Sequence, residues 1–360
     1  MATRRFPVNP ETARSVSSGD KLTTARRTQG TGGRFFWRRR PVVGQTSGVT
    51  LLKPPRLRRG AVIGLIAPAS PPKPERVAAG VRYLEGLGYR LKLGEHIAKT
   101  HGCLAGTDDE RIADLNAMLR DPQVDAIFAL RGGYGCQRLL PRVDYAAARR
   151  QPKILVGYSD LTALQLALLR RAGLVTFSGP MPAVEFAAGV DPFTEEDFWA
   201  ALTSRARSRT LPLPAGDPPV TRRPGRAEGP LIGGCASLLV SNLATPFLPS
   251  LRGTLLFLED IHEEPHRLDR LFTQLRNAGV LSRAAGLLLG QFTDRKQHGA
   301  GPRHLPWPQL LDEVLAELRG PCLENVPYGH APRRWTVPLG IRARLDADRR
   351  RVTLTEAAVA

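Results

Sequence analysis

Short apolar runs alternate with longer amphipathic segments between residues 61 and 187. Runs of roughly four to eight apolar residues are typical of buried strands, whereas apolar positions three and four apart are typical of the helices that cover them. The predicted strands are 62–67, 89–93, 125–130, 153–157 and 174–178, and the predicted helices are 74–87, 108–120, 136–140 and 161–172. This alternation predicts a parallel sheet with helices on both faces.

The pattern changes after residue 187. Residues 188–226 are rich in proline and contain a polar helix near 194–203, which predicts a crossover between two domains. Beyond it the pattern predicts helices at 236–243, 267–278 and 307–318, and strands at 254–258, 285–290, 341–345 and 351–355. We therefore expect an α/β protein, with a parallel-sheet domain over residues 60–187 and a smaller α/β domain with a β-rich core over residues 227–360.

The positive charge of the chain is concentrated at its N-terminus. The 360 residues carry a formal net charge of +19, and residues 1–60 contain 14 lysines and arginines against 2 acidic residues. Residues 1–59 lack apolar periodicity and the apolar core of a secretory signal peptide, so they predict a disordered basic extension. Its run 34–40 mixes aromatic residues with arginines, which leaves polyanion or anionic-membrane binding open as a function of another class.

The cysteines and the overall apolar pattern narrow the class of protein further. The four cysteines form no Cys-x-x-Cys pair, which indicates reduced thiols in a cytoplasmic protein rather than a disulfide framework or a zinc site. No apolar stretch approaches the length that spans a bilayer, so we expect no membrane insertion.

A serine lies between a predicted buried strand and a predicted helix, in the sequence Gly-Tyr-Ser-Asp-Leu-Thr at 157–162. In this context Ser159 sits on a sharp turn, and the amides at the helix start point to the same place, where they can stabilise an oxyanion. The turn departs from the Gly-x-Ser-x-Gly form because Leu161 replaces the second glycine. The alternative is that Ser159 only caps the following helix.

Two later segments can supply a base and an acid for a serine nucleophile. Glu259 follows the apolar run 255–258, and His330 lies in a Gly/Pro turn that we expect to precede another strand. The order serine, glutamate, histidine is chemically sensible, since a base needs an orienting acid. Taken singly, Glu259 also reads as a cap or surface charge, and His330 as an ordinary turn histidine.

A zinc-protease pattern competes with the serine hypothesis. His262, Glu263 and His266 satisfy His-Glu-x-x-His, which binds zinc only when both histidines share one helical face. Pro265 is excluded from a helix interior and suits the first position of a following helix, predicted at 267–278. His262 then lies in the preceding loop, and we interpret the match as a coincidence.

A glycine-rich run follows the predicted strand 125–130. Its sequence, Arg-Gly-Gly-Tyr-Gly at 131–135, lets a ligand approach the backbone closely, and Arg131 can hold a substrate carboxylate. The run matches neither a P-loop nor Gly-x-Gly-x-x-Gly, so it does not indicate a phosphate cradle.

Eight motifs in order, over roughly residues 60–345, resemble the L,D-carboxypeptidases of peptidase family S66, which include murein tetrapeptide carboxypeptidases and microcin C immunity proteins. The motifs are the segments 64–70, 128–135 with 138–140, 157–160, 176–181, 227–234, 258–260, 263–270 and 329–340. The resemblance implies a flavodoxin-like or glutamine-amidotransferase-like N-terminal domain, a homodimer, and no metal or organic cofactor. It is also less than complete, because Cys235 stands where the family usually has asparagine.

The resemblance also implies roles for individual residues. Ser159 would be the nucleophile, His330 the general base and Glu259 its partner. The amides of Gly133 and Asp160 would form the oxyanion hole, and Arg131 and Glu228 would bind substrate. The implied reaction releases the terminal D-alanine of murein tetrapeptides during cytoplasmic peptidoglycan recycling. The alternative within the family is hydrolysis of aminoacyl-adenylate analogues.

Overall fold

The structure, a computed structural model, describes residues 50–293 and 305–360. The described strands are β1 (Val62–Ile66), β2 (Arg90–Leu93), β3 (Ala126–Ala129), β4 (Ile154–Gly157), β5 (Phe177–Ser178), β6 (Arg209–Thr210), β7 (Val220–Arg223), β8 (Arg226–Cys235), β9 (Leu255–Ile261), β10 (Gly286–Thr293), β11 (Cys322–Gly329), β12 (Val337–Pro338), β13 (Arg342–Asp346) and β14 (Arg351–Leu354).

The described α-helices are α1 (Pro74–Gly86), α2 (Asp108–Arg120), α3 (Cys136–Leu139), α4 (Tyr145–Arg150), α5 (Leu161–Ala172), α6 (Pro192–Thr203), α7 (Ala236–Ser241), α8 (Pro265–Asn277), α9 (Val280–Arg283) and α10 (Trp307–Ala316). The described residues also form a 3-10 turn at Leu140–Arg142 and a π-helical turn at Pro182–Phe186. Across the described ranges, no helix is both long enough and apolar enough to cross a membrane.

The strands form two sheets. The first has the order β12-β5-β4-β3-β1-β2, in which the pairs from β5 to β2 are parallel and β12 is antiparallel. The second has the order β6-β14-β13-β8-β9-β10-β11-β7, with a parallel centre from β8 to β11 and antiparallel strands at both sides. The predicted α/β class, with a parallel sheet in the first half and a β-rich second half, is therefore confirmed.

The chain returns from the second sheet to the first before it ends. After β11 it adds β12 antiparallel to β5, and it then re-enters the second sheet as β13. The hydroxyls of Ser178 on β5 and Tyr328 on β11 lie 2.8 Å apart in the buried interior. The loop between β11 and β12 consequently spans the junction of the two sheets, and His330 is its first residue.

The last ten residues of the predicted disordered extension, 50–59, are packed against the fold, so the prediction was wrong for them. Leu57 is buried in the core, and its amide donates to the carbonyl of Leu202 at 2.9 Å. Leu52 forms a parallel bridge beside Leu174. These leucines lie among prolines and arginines and follow no helical or strand periodicity. Their contacts are with residues more than 100 positions away, so the sequence pattern gives no sign of them. The rest of the predicted extension, with its run 34–40, lies outside the described residues.

Two strands that lead toward Glu259 and His330 were not predicted. The first is β8 and the second is β11, which includes Pro327 and Gly329. The prediction that His330 sits in a turn ahead of a strand was therefore wrong in part, because that turn is the end of β11. The error has a local cause, since glycine and proline usually interrupt strands, whereas here the pairing of β11 with β10 shifts register between Leu289 and Gln291.

Candidate active site

Ser159 occupies the turn between β4 and α5 with a positive φ of 65°. A non-glycine residue rarely adopts this region, and such strain is concentrated at functional sites. Gly157 makes the turn compact, because a Cβ there would lie 2.6 Å from Cγ of Leu161. The close approach needs glycine before the serine, and Leu161 packs where the Gly-x-Ser-x-Gly form has its second glycine.

Ser159 does not cap α5. The residue at the capping position is Asp160, and no side chain makes a capping hydrogen bond there. The Asp160 carboxylate instead accepts the amide of Cys136 at 2.8 Å. Burial raises the pKa of Asp160, although that amide opposes the shift.

The glycine turn after β3 lies directly against Ser159. A Cβ on Gly132 would lie 2.9 Å from Cβ of Ser159 and 3.2 Å from its Oγ. Ser70 fixes the turn from the other side, since its Oγ accepts the Tyr134 amide at 3.1 Å. In the described part of the chain, neither the Gly133 amide nor the Asp160 amide donates to a protein group. The two amides therefore have no protein acceptor among the described residues, which is compatible with the predicted oxyanion hole.

Glu259 and His330 form a buried pair. Nδ1 of His330 lies 2.7 Å from Oε2 of Glu259, whose side chain is 1% exposed. A bulge in β10 lies beside Glu259, because three residue steps of β10 match two of β9 between Leu289 and Phe292. Bulges of this kind often redirect side chains beside active sites.

Gly329 permits the close approach of His330 to Glu259. Its φ is 124°, and a Cβ there would lie 3.0 Å from both Oε2 of Glu259 and the carbonyl of Gln291. A carboxylate accepts at Nδ1, so a neutral imidazole in this pair carries its proton on Nδ1 and has Nε2 as an acceptor. This is the tautomer that a general base requires.

The turn of Ser159 meets His330 through the neighbouring Tyr158. The rings of Tyr158 and His330 have centroids 4.9 Å apart and planes inclined by 60°. Among the described residues no hydrogen bond joins the Ser159 hydroxyl to His330, and such bonds often tighten only when substrate binds. The structure thus brings the segments of all three predicted residues to the sheet junction.

The predicted role of Glu228 in substrate binding stays a prediction, and the structure places this residue far along β8 from Glu259. Glu228 is near the start of β8, pairs in register with Arg344, and forms a salt bridge with it at 2.6 Å. The end of β8 that reaches the site is Cys235, which is level with Glu259. Seven residues of strand separate the two positions, which corresponds to about 23 Å. The motif around Glu228 marks the start of the strand, whereas its carboxyl end lies beside Glu259.

Arg131 lies beside the glycine turn, as its sequence position requires. Its Nε donates to the carbonyl of Gly132 at 3.2 Å, and Nη1 donates to the carbonyl of Pro71 at 3.3 Å. These bonds hold the guanidinium near Ser159, and its binding of a substrate carboxylate stays a prediction.

Sequence reasoning missed the buried pair Cys235 and Asp260. Sγ of Cys235 lies 3.4 Å from Oδ1 of Asp260, whose Oδ2 accepts the amide of Ser237 at the start of α7. Burial, together with the charges of Asp260 and Glu259, raises the pKa of the Cys235 thiol well above its usual value. The thiol therefore stays neutral and is a poor nucleophile. The acidic run after β9 was the available signal for Asp260.

The His-Glu-x-x-His match is split between a loop and a helix, as predicted. Pro265 is the first residue of α8, and His262 precedes the helix with a φ of 60°. Over residues 50–293 and 305–360, no group of three or more His, Cys, Asp or Glu side chains is arranged to hold a metal ion.

The two halves of the chain match two known family domains. Residues 63–179 match the LD-carboxypeptidase N-terminal domain, and residues 228–345 match the LD-carboxypeptidase C-terminal domain. The chain belongs to the LD-carboxypeptidase family, peptidase family S66, and the resemblance drawn from its motifs is confirmed.

Relatives and solved structures agree with this assignment. The chain is 40% identical to the probable murein peptide carboxypeptidase of Bacillus subtilis (strain 168), over 82% of this chain and 91% of the relative. The crystal structure of muramoyltetrapeptide carboxypeptidase from Oxalobacter formigenes superposes with a TM-score of 0.72 at 31% identity, covering 82% of this chain and 98% of that one. Microcin C7 self-immunity protein MccF, in its wild-type apo state, gives a TM-score of 0.79 at 28% identity, with coverages of 86% and 100%.

Proposed function

We propose that this S66 carboxypeptidase is a serine-type L,D-carboxypeptidase that releases the terminal D-alanine of murein tetrapeptides, acting in cytoplasmic peptidoglycan recycling. The observation that carries the proposal is the meeting of the strained Ser159 turn with the Glu259–His330 pair at the sheet junction. The names of the relatives from Bacillus subtilis and Oxalobacter formigenes support the substrate class.

The proposed reaction is acyl transfer. Nε2 of His330 accepts the Ser159 proton while Oγ attacks the carbonyl that joins the L-centre of the diamino acid to D-alanine. The Gly133 and Asp160 amides donate to the developing oxyanion. His330 then returns the proton to the departing amine, and water, activated by the same imidazole, hydrolyses the acyl-enzyme. Glu259 holds the imidazole and stabilises its charged form throughout.

The test is release of free D-alanine from defined muropeptides, measured by mass spectrometry. Tetrapeptide should be cleaved to tripeptide, while pentapeptide and tripeptide should not release D-alanine. Ser159→Ala should remain folded, bind tetrapeptide and fail to cleave it. Turnover by Ser159→Ala at the wild-type rate would remove Ser159 as nucleophile.

The structural similarity to MccF favours one second candidate, hydrolysis of an aminoacyl-adenylate analogue. An aminoacyl sulfamoyl adenosine belongs in the same assay as a competing substrate. A higher kcat/KM for it than for tetrapeptide would reverse the preference. The homodimer expected from the resemblance remains a prediction for light scattering on the purified chain.

A further inference from the structure

Tyr158 lies between the two halves of the candidate active site. It directly precedes Ser159, and its side chain is buried. Its ring contacts the His330 ring, and the guanidinium carbon of Arg334 lies 4.5 Å from the centre of the same ring. Both partners come from the loop between β11 and β12, so one side chain of the nucleophile turn contacts the base and a buried cation together.

The hydroxyl of Tyr158 is hydrogen-bonded to the π-helical turn Pro182–Phe186. It donates to Oε1 of Glu185 at 2.7 Å, and Oε2 of Glu185 accepts the amide of Met181 at 2.8 Å. Burial raises the pKa of Tyr158, so the phenol stays neutral and remains a donor. The ring position is consequently set from the hydroxyl end as well as from the ring face.

Arg334, in the loop between β11 and β12, also contacts Glu185. Its Nη1 lies 3.0 Å from Oε1 of Glu185. Its Nε donates to the carbonyl of Ala331 at 2.9 Å, and its amide donates to the hydroxyl of Thr194, also at 2.9 Å. The Ala331 bond stabilises the loop internally, and the Thr194 bond ties its middle to α6.

The charges of the network also favour the catalytic arrangement. The second oxygen of Glu259, Oε1, is buried without a hydrogen-bond partner among the described residues, and a buried carboxylate left uncompensated is costly. Arg334 is 6% exposed and interacts favourably with Glu259. Its positive charge therefore offsets part of the cost of burying the Glu259 carboxyl group opposite His330.

From these contacts we infer that Tyr158 and Arg334 act as one positioning unit, which fixes His330 against the Ser159 turn across the sheet junction. The inference rests on the proposed serine mechanism, in which His330 must reach Ser159. Neither residue is assigned a chemical step. Each acts through His330, so its loss should lower the rate of serine activation far more than substrate affinity.

The experiment measures serine activation without relying on the murein substrate. A fluorophosphonate phosphonylates an activated serine, with fluoride as the leaving group and the hydroxyl proton passing to the base. The rate of labelling is compared with kcat and KM for D-alanine release, in folded variants checked by circular dichroism and melting temperature. Ser159→Ala is the blank.

Two substitutions remove the positioning contacts and two preserve part of them. Tyr158→Leu and Arg334→Met should each slow labelling and kcat by about 30- to 100-fold, the scale of a misplaced catalytic group, with KM changed less than about threefold. Tyr158→Phe keeps the ring and should lose roughly threefold or less. Arg334→Lys keeps the charge and should fall between. The Tyr158→Leu/Arg334→Met double variant should lose about as much as the worse single variant, because groups acting as a unit are non-additive.

Tyr145 provides a matched control away from the site. Its hydroxyl donates to the carbonyl of Leu140 at 2.7 Å, and Arg171 lies 5.8 Å from its ring centre. Tyr145→Leu should leave labelling and kcat unchanged.

Each outcome decides between the hypotheses. Wild-type labelling rates in folded Tyr158→Leu and Arg334→Met, or losses confined to KM, would overturn the inference and leave the serine mechanism standing. If those variants do not fold, an unchanged rate in folded Arg334→Lys overturns it and a reduced rate supports it. Labelling of Ser159→Ala at the wild-type rate would overturn the serine mechanism itself, and the inference with it.

Discussion

Nδ1 of His330 lies 2.7 Å from Oε2 of Glu259, although 71 positions separate the two residues in the chain. The contact crosses the intervening strand β10, since Glu259 is on β9 and His330 follows β11. It also needs the absence of a side chain at Gly329. The Glu259–His330 pair is therefore a product of strand order and close backbone approach rather than of a local motif.

The serine and zinc hypotheses predict opposite results for the histidines. His330→Ala and Glu259→Gln should each lower kcat by roughly 10³-fold or more, because members of a catalytic triad act as a unit. His262→Ala and His266→Ala should retain most activity, since Pro265 separates the two residues structurally. D-alanine release is measured before and after prolonged chelation. Activity that chelation abolishes and zinc restores would contradict the triad.

Gly329→Ala should damage the site as well as the fold. The new methyl would meet Glu259 and strain a backbone whose φ is 124°. We expect kcat to fall by about tenfold or more, with a lower melting temperature. Gly216→Ala is the matched control, because Gly216 also has a positive φ, 107°, but open space around it. It should lose stability through backbone strain of roughly 1–2 kcal/mol and keep its kcat. Equal kcat in both variants would refute the argument.

Asp108 should contribute a pH-dependent part of the stability. The hydrogen bond from Arg138, with further help from Arg111, holds the pKa of Asp108 below its ordinary value of 3.8. Because the pKa of Asp108 is lower in the folded state than in the unfolded state, its ionisation stabilises the fold at pH values above the unfolded-state pKa. This stabilisation is lost as the pH falls through the folded-state pKa. Asp108→Asn should thus lower the melting temperature at pH 7, and the difference from wild type should shrink toward pH 3.5.

Asp109 is the control for that measurement. It pairs with Arg142, but its side chain is 83% exposed, and exposed pairs contribute little. Asp109→Asn should change the melting temperature less than Asp108→Asn at pH 7. A difference for Asp108→Asn that is constant with pH would show that the ion pairs do not cause it.

Two deletions test where the fold begins. Removing residues 1–49 should leave activity and melting temperature nearly unchanged, because the described contacts at this end begin near Leu52. Removing residues 1–58 also deletes Leu57 from the core, and a lost buried leucine costs about 2–5 kcal/mol. The melting temperature of the protein without residues 1–58 should therefore fall by roughly 5–15 °C. Equal melting temperatures in the two truncated proteins would contradict the packing of residues 50–59.

Removal of residues 1–49 also tests the hypothesis that the N-terminal segment binds polyanions. Residues 1–49 contain 10 lysines and arginines against 2 acidic residues, so their removal should weaken salt-dependent retention on heparin. Retention that is unchanged would place polyanion binding on residues 50–360.

The amino-acid pattern alone was enough to predict strands β1 to β5 of the first sheet, although not β12, because apolar period and helix spacing are local properties of the chain. The buried strand before Ser159 and the amphipathic helix after it have this character, and so does the proline that begins α8. The order of the S66 motifs was equally readable, and it led to the family that the domain matches confirm.

Which of those residues become neighbours followed from the tertiary fold alone. Glu228 and Cys235 belong to one strand, but strand direction takes Glu228 away from the site and brings Cys235 to it. The contacts of Tyr158 with His330 and Arg334 join positions far apart in sequence, and no period records them. The physical reason is that hydrophobic patterning specifies which face of an element is buried, whereas strand order, bulges and crossovers determine which buried side chains become neighbours.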